Sequence, residues 1–322
     1  MAGPDSFRVK VAHMDKLKRR LIVGWKRDWQ LYLFMLLPVV FILIFHYYPM
    51  LGLQLAFRKY TAKGGMWGSK WVGLDNIVKF LNSYQFERVV ANTVILSMYG
   101  LACAMVIPVC FALLLNAIER ARFKKICQTI VNLPHFISIV VLVGIVNQFF
   151  NNRTGLYGNL VLNLTGSYPP DIFGNLSAFR HLYIWSGVWQ NFGWNSIIYI
   201  ATLSGVDMQL HEAAQIDGAS RVQRIWHVDL PYLKPTIITL FILHMGNVMS
   251  VGFEKAYLMQ NPLNLAHSEL ISTYVYRIGL SGTMKTDFSY ATAIGLFNSV
   301  VNLILVMTAN MISKKLSDTS LF

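Results

Sequence analysis

Asp207-Met208-Gln209-Leu210-His211-Glu212-Ala213-Ala214-Gln215-Ile216-Asp217-Gly218-Ala219-Ser220-Arg221-Val222-Gln223-Arg224-Ile225-Trp226-His227-Val228-Asp229-Leu230-Pro231 lies between two long uncharged apolar runs and decides how the chain is read. Asp207 can cap a helix starting at Met208, because its side-chain oxygen reaches an otherwise unpaired N–H of the first turn. Gly218 can supply the left-handed residue that ends that helix. Ser220 followed by Gln223 has the spacing of a capping box, which starts a second helix, and Pro231 is expected to close it. The stretch therefore predicts two short helices joined by a tight glycine turn. Ala213, Ala214 and Ala219 are small enough for another backbone to approach, while Glu212, Asp217, Arg221 and Arg224 offer charge and Ile216 and Ile225 offer apolar contact. That chemistry suits a docking knob, although an ordinary amphipathic loop would also satisfy it.

The runs on either side give the fold class. Hydrophobic residues make up 55% of the 322-residue chain and charged residues 13%, about half the ~25% usual in soluble domains. Mean hydropathy is +0.46. Too few charges remain to clothe soluble domains, so a polytopic membrane protein is expected. Residues 29–48, 89–117, 126–150, 181–206, 235–253 and 288–313 contain no Asp, Glu, Lys or Arg. Each is near the ~20 residues that cross the hydrocarbon core as a helix. The reading is an all-α protein of six transmembrane helices.

Lys and Arg outnumber Asp and Glu by 28 to 15, but they flank the apolar runs, which argues for membrane orientation rather than nucleic acid. The segments 1–28, 118–125, 207–234 and 314–322 hold 17 Lys or Arg, and the opposite loops, though longer, hold 11. The positive-inside rule then places both termini in the cytoplasm. Residues 1–28 form a basic N-terminal segment, not a cleavable signal. Leu17, Leu21, Trp25 and Trp29 recur every fourth residue there, as in a helix lying in the membrane interface. Residues 29–313 form the six-span domain and 314–322 a cytoplasmic tail. Cys103, Cys110 and Cys127 sit in or beside apolar runs without metal-ligand spacing and read as reduced packing residues.

The spacing within 207–231 narrows the function. Glu212-Ala213-Ala214, three residues, Gly218, nine residues, then Val228-x-Leu230-Pro231 resembles the EAA motif of ABC-importer permeases, with Val228 where Ile is usual. From about residue 29 onward the chain is similar to the carbohydrate-uptake branch of that family (the MalF/LplB-like polysaccharide and oligosaccharide permeases, one of which serves an alginate importer). The stretches Phe45–Met50, Trp71–Asn76, Leu133–Ser138, Gly252–Pro262 and Ser320–Phe322 carry this likeness.

The resemblance implies the type I importer (MetI-like) transmembrane fold in a bacterial inner membrane. It also implies a second permease subunit of the same fold, two copies of an ATPase subunit that bind ATP and magnesium, and an extracytoplasmic solute-binding protein. Glu212, Ala213, Ala214, Asp217, Gly218, Arg221, Leu230 and Pro231 become the ATPase-coupling residues. The chain has no G-x-x-x-x-G-K-[ST] phosphate loop, so no cofactor and no hydrolysis of its own are expected.

Polar and aromatic side chains inside spans mark candidate positions along a sugar path. The fourth run carries Trp185, Trp189, Gln190, Asn191, Trp194 and Asn195, with the first two tryptophans on one helix face and Gln190 and Trp194 on a neighbouring one. The fifth carries His244 and Asn247, with Glu254 and Lys255 at its outer end. Being adjacent, those last two point apart, so partners on a second permease or at the pore mouth are expected. The cargo is expected to be an oligosaccharide or polysaccharide, with an acidic one such as alginate weakly favoured by the positive outer loops. An ABC permease for a non-sugar solute and an ATP-independent secondary transporter stay open as alternatives. A membrane enzyme ranks last, because no catalytic constellation lies at membrane depth.

Overall fold

The computed structural model describes residues 27–250, 252–282 and 286–316. The expected interfacial helix before residue 27 and the tail beyond 316 lie outside the described residues. Within them the chain is mostly helical, with one antiparallel hairpin.

The most apolar 18-residue window of helix α1 (Arg27–Phe57) has a mean hydropathy of 2.1, and the rest of the chain buries none of it. A helix bare on every side needs hydrocarbon or another subunit around it. Its middle widens into a π-turn over Leu43–Tyr47, where Tyr48 N–H bonds Leu43 O. Pro49 follows at once. A proline ring crowds the carbonyl four residues back, and the wider turn makes room for it.

Strands β1 (Arg58–Thr61) and β2 (Ser69–Trp71) pair as a hairpin, Arg58 opposite Trp71. The hairpin encloses the Gly- and Trp-rich stretch Gly64-Gly65-Met66-Trp67-Gly68. The Tyr60 amide donates to Ser289 Oγ at 2.9 Å, which fastens the hairpin to the start of the last long helix. A short helix α2 (Asp75–Leu81) leads into α3 (Tyr84–Asn116), which packs along α7 (Leu176–Leu203). By length and apolarity α1, α3 and the final helix α12 (Phe288–Leu316) qualify as spans. The 28 residues of α7 reach about 42 Å at 1.5 Å per residue. It is less apolar because it buries Gln190 and Ser196 inside the bundle.

The structure corrects two boundaries. Residues 126–150 are not one straight span: α4 (Ala121–Phe136) and α5 (Ile139–Phe149) meet at 98°. Pro134 tightens the end of α4 into a 3-10 turn, Ile137 and Ser138 are extended, and Ser138 Oγ caps α5 by accepting from Val141 N–H. Pro231 does not close the helix begun at Arg221. Helix α9 runs without interruption through residues 221–245, with a π-turn over Ile225–Asp229 ahead of Pro231, the device also seen before Pro49. It stops at Met245, short of the expected 253, in a series of turns through Met249.

Short helices α6 (Leu156–Thr165), α8 (Met208–Ile216), α10 (Phe253–Met259) and α11 (Ile271–Gly279) lie between the long ones. Among the described residues, three apolar clusters hold the assembly. One gathers Phe80, Val89, Ile271, Tyr274 and Ile294 from α2, α3, α11 and α12. A second joins Leu96, Phe179, Tyr183 and Met259. The third, Leu113, Tyr199, Leu203 and Leu233, knits α3, α7 and α9.

Candidate functional site

Two regions carry the chemistry. The first is the 207–231 handle, whose caps form as its sequence dictates. Asp207 Oδ1 accepts from Gln209 N–H at 2.9 Å. At the far end of α8, Ala219 N–H reaches back to Ala214 O at 2.8 Å and Gly218 N–H to Gln215 O at 3.0 Å. That paired pattern requires a left-handed residue between them, and Gly218 has φ +80°. Ser220 Oγ and the Gln223 side chain complete a reciprocal capping box. Glu212, Ala213, Asp217 and Gly218 are exposed, and Glu212 makes no ion pair among the described residues. Ile216 is 87% exposed at the tip. Arg221 instead pairs within the chain, its guanidinium 2.7 Å from Glu119 in the neighbouring loop. Leu230 packs against the cluster of Leu113, Tyr199, Leu203 and Leu233, and Pro231 is exposed.

A residue that sequence reading passed over anchors this handle. Asp229 is 3% exposed. Its carboxylate lies 3.2 Å from His211 Nε2 on α8 and accepts from Asn116 Nδ2, at the end of α3, at 3.4 Å. Burial pushes the Asp229 carboxyl above its ordinary value, while His211, Arg224 and Asn116 pull it back. One carboxylate thus ties three elements together. The available signal was a lone acid between Val228 and Leu230, but nothing local names its partners.

The second region lies among α3, α5, α7 and α10, where a cavity of about 310 Å³ opens. Gln190, Asn191 and Asn195 line it, as does Lys255, which is 7% exposed. Gln190 Nε2 also donates to Ile137 O at 2.7 Å, satisfying a carbonyl that the bend between α4 and α5 had freed. Asn191 Oδ1 lies 2.9 Å from His135 Nδ1, and Trp194 stacks on the same imidazole with centroids 4.4 Å apart. Three expected pathway residues therefore brace the broken span.

The others divide. Trp185 and Trp189 face a separate apolar cavity of about 590 Å³ with Leu142, Val146 and Phe149. Asn195 and His244 share a smaller one of about 190 Å³ with Trp194. Asn247 and Glu254 are exposed. Lys255 was expected to seek an external partner at the end of its span. The break at Met245 instead turns α10 inward and brings its ammonium into the bundle. Among the described residues no group of three or more His, Cys, Asp or Glu could hold a metal.

Residues 104–318 match the family described as binding-protein-dependent transport system inner membrane component. The chain is similar to protein LplB of Bacillus subtilis (strain 168), 39% identical with 92% of each chain covered. It is also similar to the polygalacturonan/rhamnogalacturonan transport system permease protein YteP of the same organism, 38% identical over 95% of this chain and 94% of the other. Among solved structures it superposes on a chain of a bacterial ABC transporter involved in the import of the acidic polysaccharide alginate. That match has a TM-score of 0.84 and 38% identity, and covers 92% of this chain and 99% of the other.

Proposed function

Because the chain belongs to the family of binding-protein-dependent transport system inner membrane components, we propose that it is the permease subunit of an ABC importer for oligosaccharides or polysaccharides. The observation that carries this reading is the 207–231 handle. It is exposed at its tip, rigidly capped, and continuous with the apolar stretch of α9 that runs to Met245. A transporter driven by its own ion gradient has no need of such a projection, whereas a permease moved by an external motor must offer one. The saccharide cargo is supported by similarity to a polygalacturonan/rhamnogalacturonan permease and to the alginate importer.

In this reading Glu212, Ala213, Ala214, Asp217 and Gly218 seat in a groove of an ATPase subunit, which alone binds ATP and magnesium. A second permease of the same fold completes the pore, two ATPase copies drive it, and an extracytoplasmic binding protein delivers the sugar. Both termini face the cytoplasm with the handle.

Purified complex in proteoliposomes tests the reading. Replacing Glu212 by Ala should lower ATP-driven saccharide uptake by roughly 5–150-fold, the range of typical coupling energies, while ATP hydrolysis continues. Full uptake by that variant would remove coupling through this loop. Uptake by this chain alone, powered by an ion gradient, would overturn the function itself.

A further inference from the structure

The geometry points to Lys255 as the group that pairs with a carboxylate of the transported saccharide, making the cargo an acidic, uronate-containing chain. This rests on the permease reading above and adds the residue through which the sugar's charge is read. Lys255 is 7% exposed. Its Nζ donates to Tyr183 O at 2.7 Å and lies 4.8 Å from the centroid of the Tyr183 ring. The tyrosine is itself pinned, its hydroxyl donating to Gly252 O at 3.3 Å. An ammonium has three protons to give, and Tyr183 O is its one hydrogen-bond partner among the described residues.

Among the described residues no carboxylate answers the charge. Glu254, next in sequence, is exposed, and no acidic residue lines the cavity that Lys255 borders. Three partly buried arginines, by contrast, have side-chain partners. Arg88 and Arg277 both pair with the buried Glu269, and Arg180 donates to Asn92 Oδ1 at 2.9 Å. A buried charge without a partner costs several kcal/mol, so folds pair such charges or discard them. Retaining one beside an open, largely apolar cavity with a few amides on its wall is the arrangement of a site whose counter-ion arrives from outside.

The cavity is shaped to receive it. At about 310 Å³ it stands at the lower end of the ~300–1,000 Å³ range of small-molecule sites. Gln190, Asn191 and Asn195 supply amides on the same wall, and Tyr183 presents an aromatic ring beside the charge. Space around the ammonium depends on Gly187, where a Cβ would stand 3.0 Å from Lys255 Nζ. A carboxylate on a sugar ring can pair with the cation while its hydroxyls meet the amides.

The test uses the complete transporter in proteoliposomes with its binding protein. Uptake of oligogalacturonates and oligoalginates is compared with uptake of the same chains fully methyl-esterified, which are uncharged but of similar shape. Lys255→Gln should lower uptake of the free acids by at least about tenfold, the loss expected for one charge-assisted hydrogen bond, and change the acid-to-ester ratio by a similar factor. Lys255→Arg should restore most of that ratio. If Lys255→Gln lowers acid and ester equally, or neither, the residue is structural or meets a carboxylate of the second permease, and the inference fails. Wild-type uptake confined to uncharged saccharides would also overturn it, leaving the permease reading intact. No uptake of any saccharide, charged or esterified, would remove the sugar reading itself.

Discussion

Asp229 shows how one side chain can hold a moving part in register. Its carboxylate contacts His211 on α8 and Asn116 on α3 from within α9. Replacing it by Ala strands two half-buried polar partners at a cost of about 1–3 kcal/mol or less. We expect a lower melting temperature for the purified complex and uptake that no longer keeps pace with ATP hydrolysis; an unchanged melt would show that the tie is dispensable. The pH response follows from the same burial. Desolvation raises this carboxyl above its value in the unfolded chain, so the folded protein binds more protons across the interval between the two. Its contribution to stability grows on acidification and is lost as pH rises through the folded value. Asp229→Asn should flatten that part of the stability–pH curve. An identical slope in wild type and variant would assign the response to another group. Gly218 acts differently. A Cβ there would meet nothing within 4 Å, but φ is +80°, so the cost of Gly218→Val is conformational, about 1–2 kcal/mol. Loss of coupled uptake by a variant that still assembles is the expected result, and full uptake would mean that α8 tolerates a distorted end.

Among the elements, the bent pair α4–α5 separates what was legible in the sequence from what was not. The caps of the handle could be read because each closes within a few residues: Asp207 to Gln209, Ser220 to Gln223, Gly218 between Ala214 and Ala219. The bend could not, because an apolar run with a proline also fits a kinked but continuous span. What makes a 98° turn tenable is Gln190, fifty-three residues away, filling the open Ile137 carbonyl. The same holds for Pro231, read as a stop but absorbed by a π-turn, and for Lys255, which sequence could place only at the end of a span. Gln190→Leu removes the donor and should cost about 1–3 kcal/mol, whereas Trp189→Leu, on the apolar cavity next door, should spare the bend. Thermal melts of the two complexes separate these outcomes. Equal losses would mean that Gln190 serves the bend no more than its neighbour does.

Across the whole molecule, α8, α9 and the turn at Gly218 form one lever. The handle is at one end. The apolar cluster of Leu113, Tyr199, Leu203 and Leu233 lies at its waist. The break at Met245, beyond which α10 presents Lys255 to the cavity, is at the other end. Force applied at Glu212 can reach the cavity only if this unit stays stiff, because interfaces between packed helices shift as bodies rather than stretch. The π-turn at Ile225–Asp229 is the weak point, since wide turns frequently mark functional flexure. Spin labels at Ile216 and Leu243, both exposed, bracket it. If the lever is rigid, their separation stays constant when ATP and loaded binding protein are added, while the distance from Ile216 to Leu33 on α1 changes. A change within the Ile216–Leu243 pair would instead place a hinge at the π-turn. The stroke of the motor would then be spent beside Pro231 and would not reach the break at Met245, and the cavity around Lys255 would have to open by a different movement.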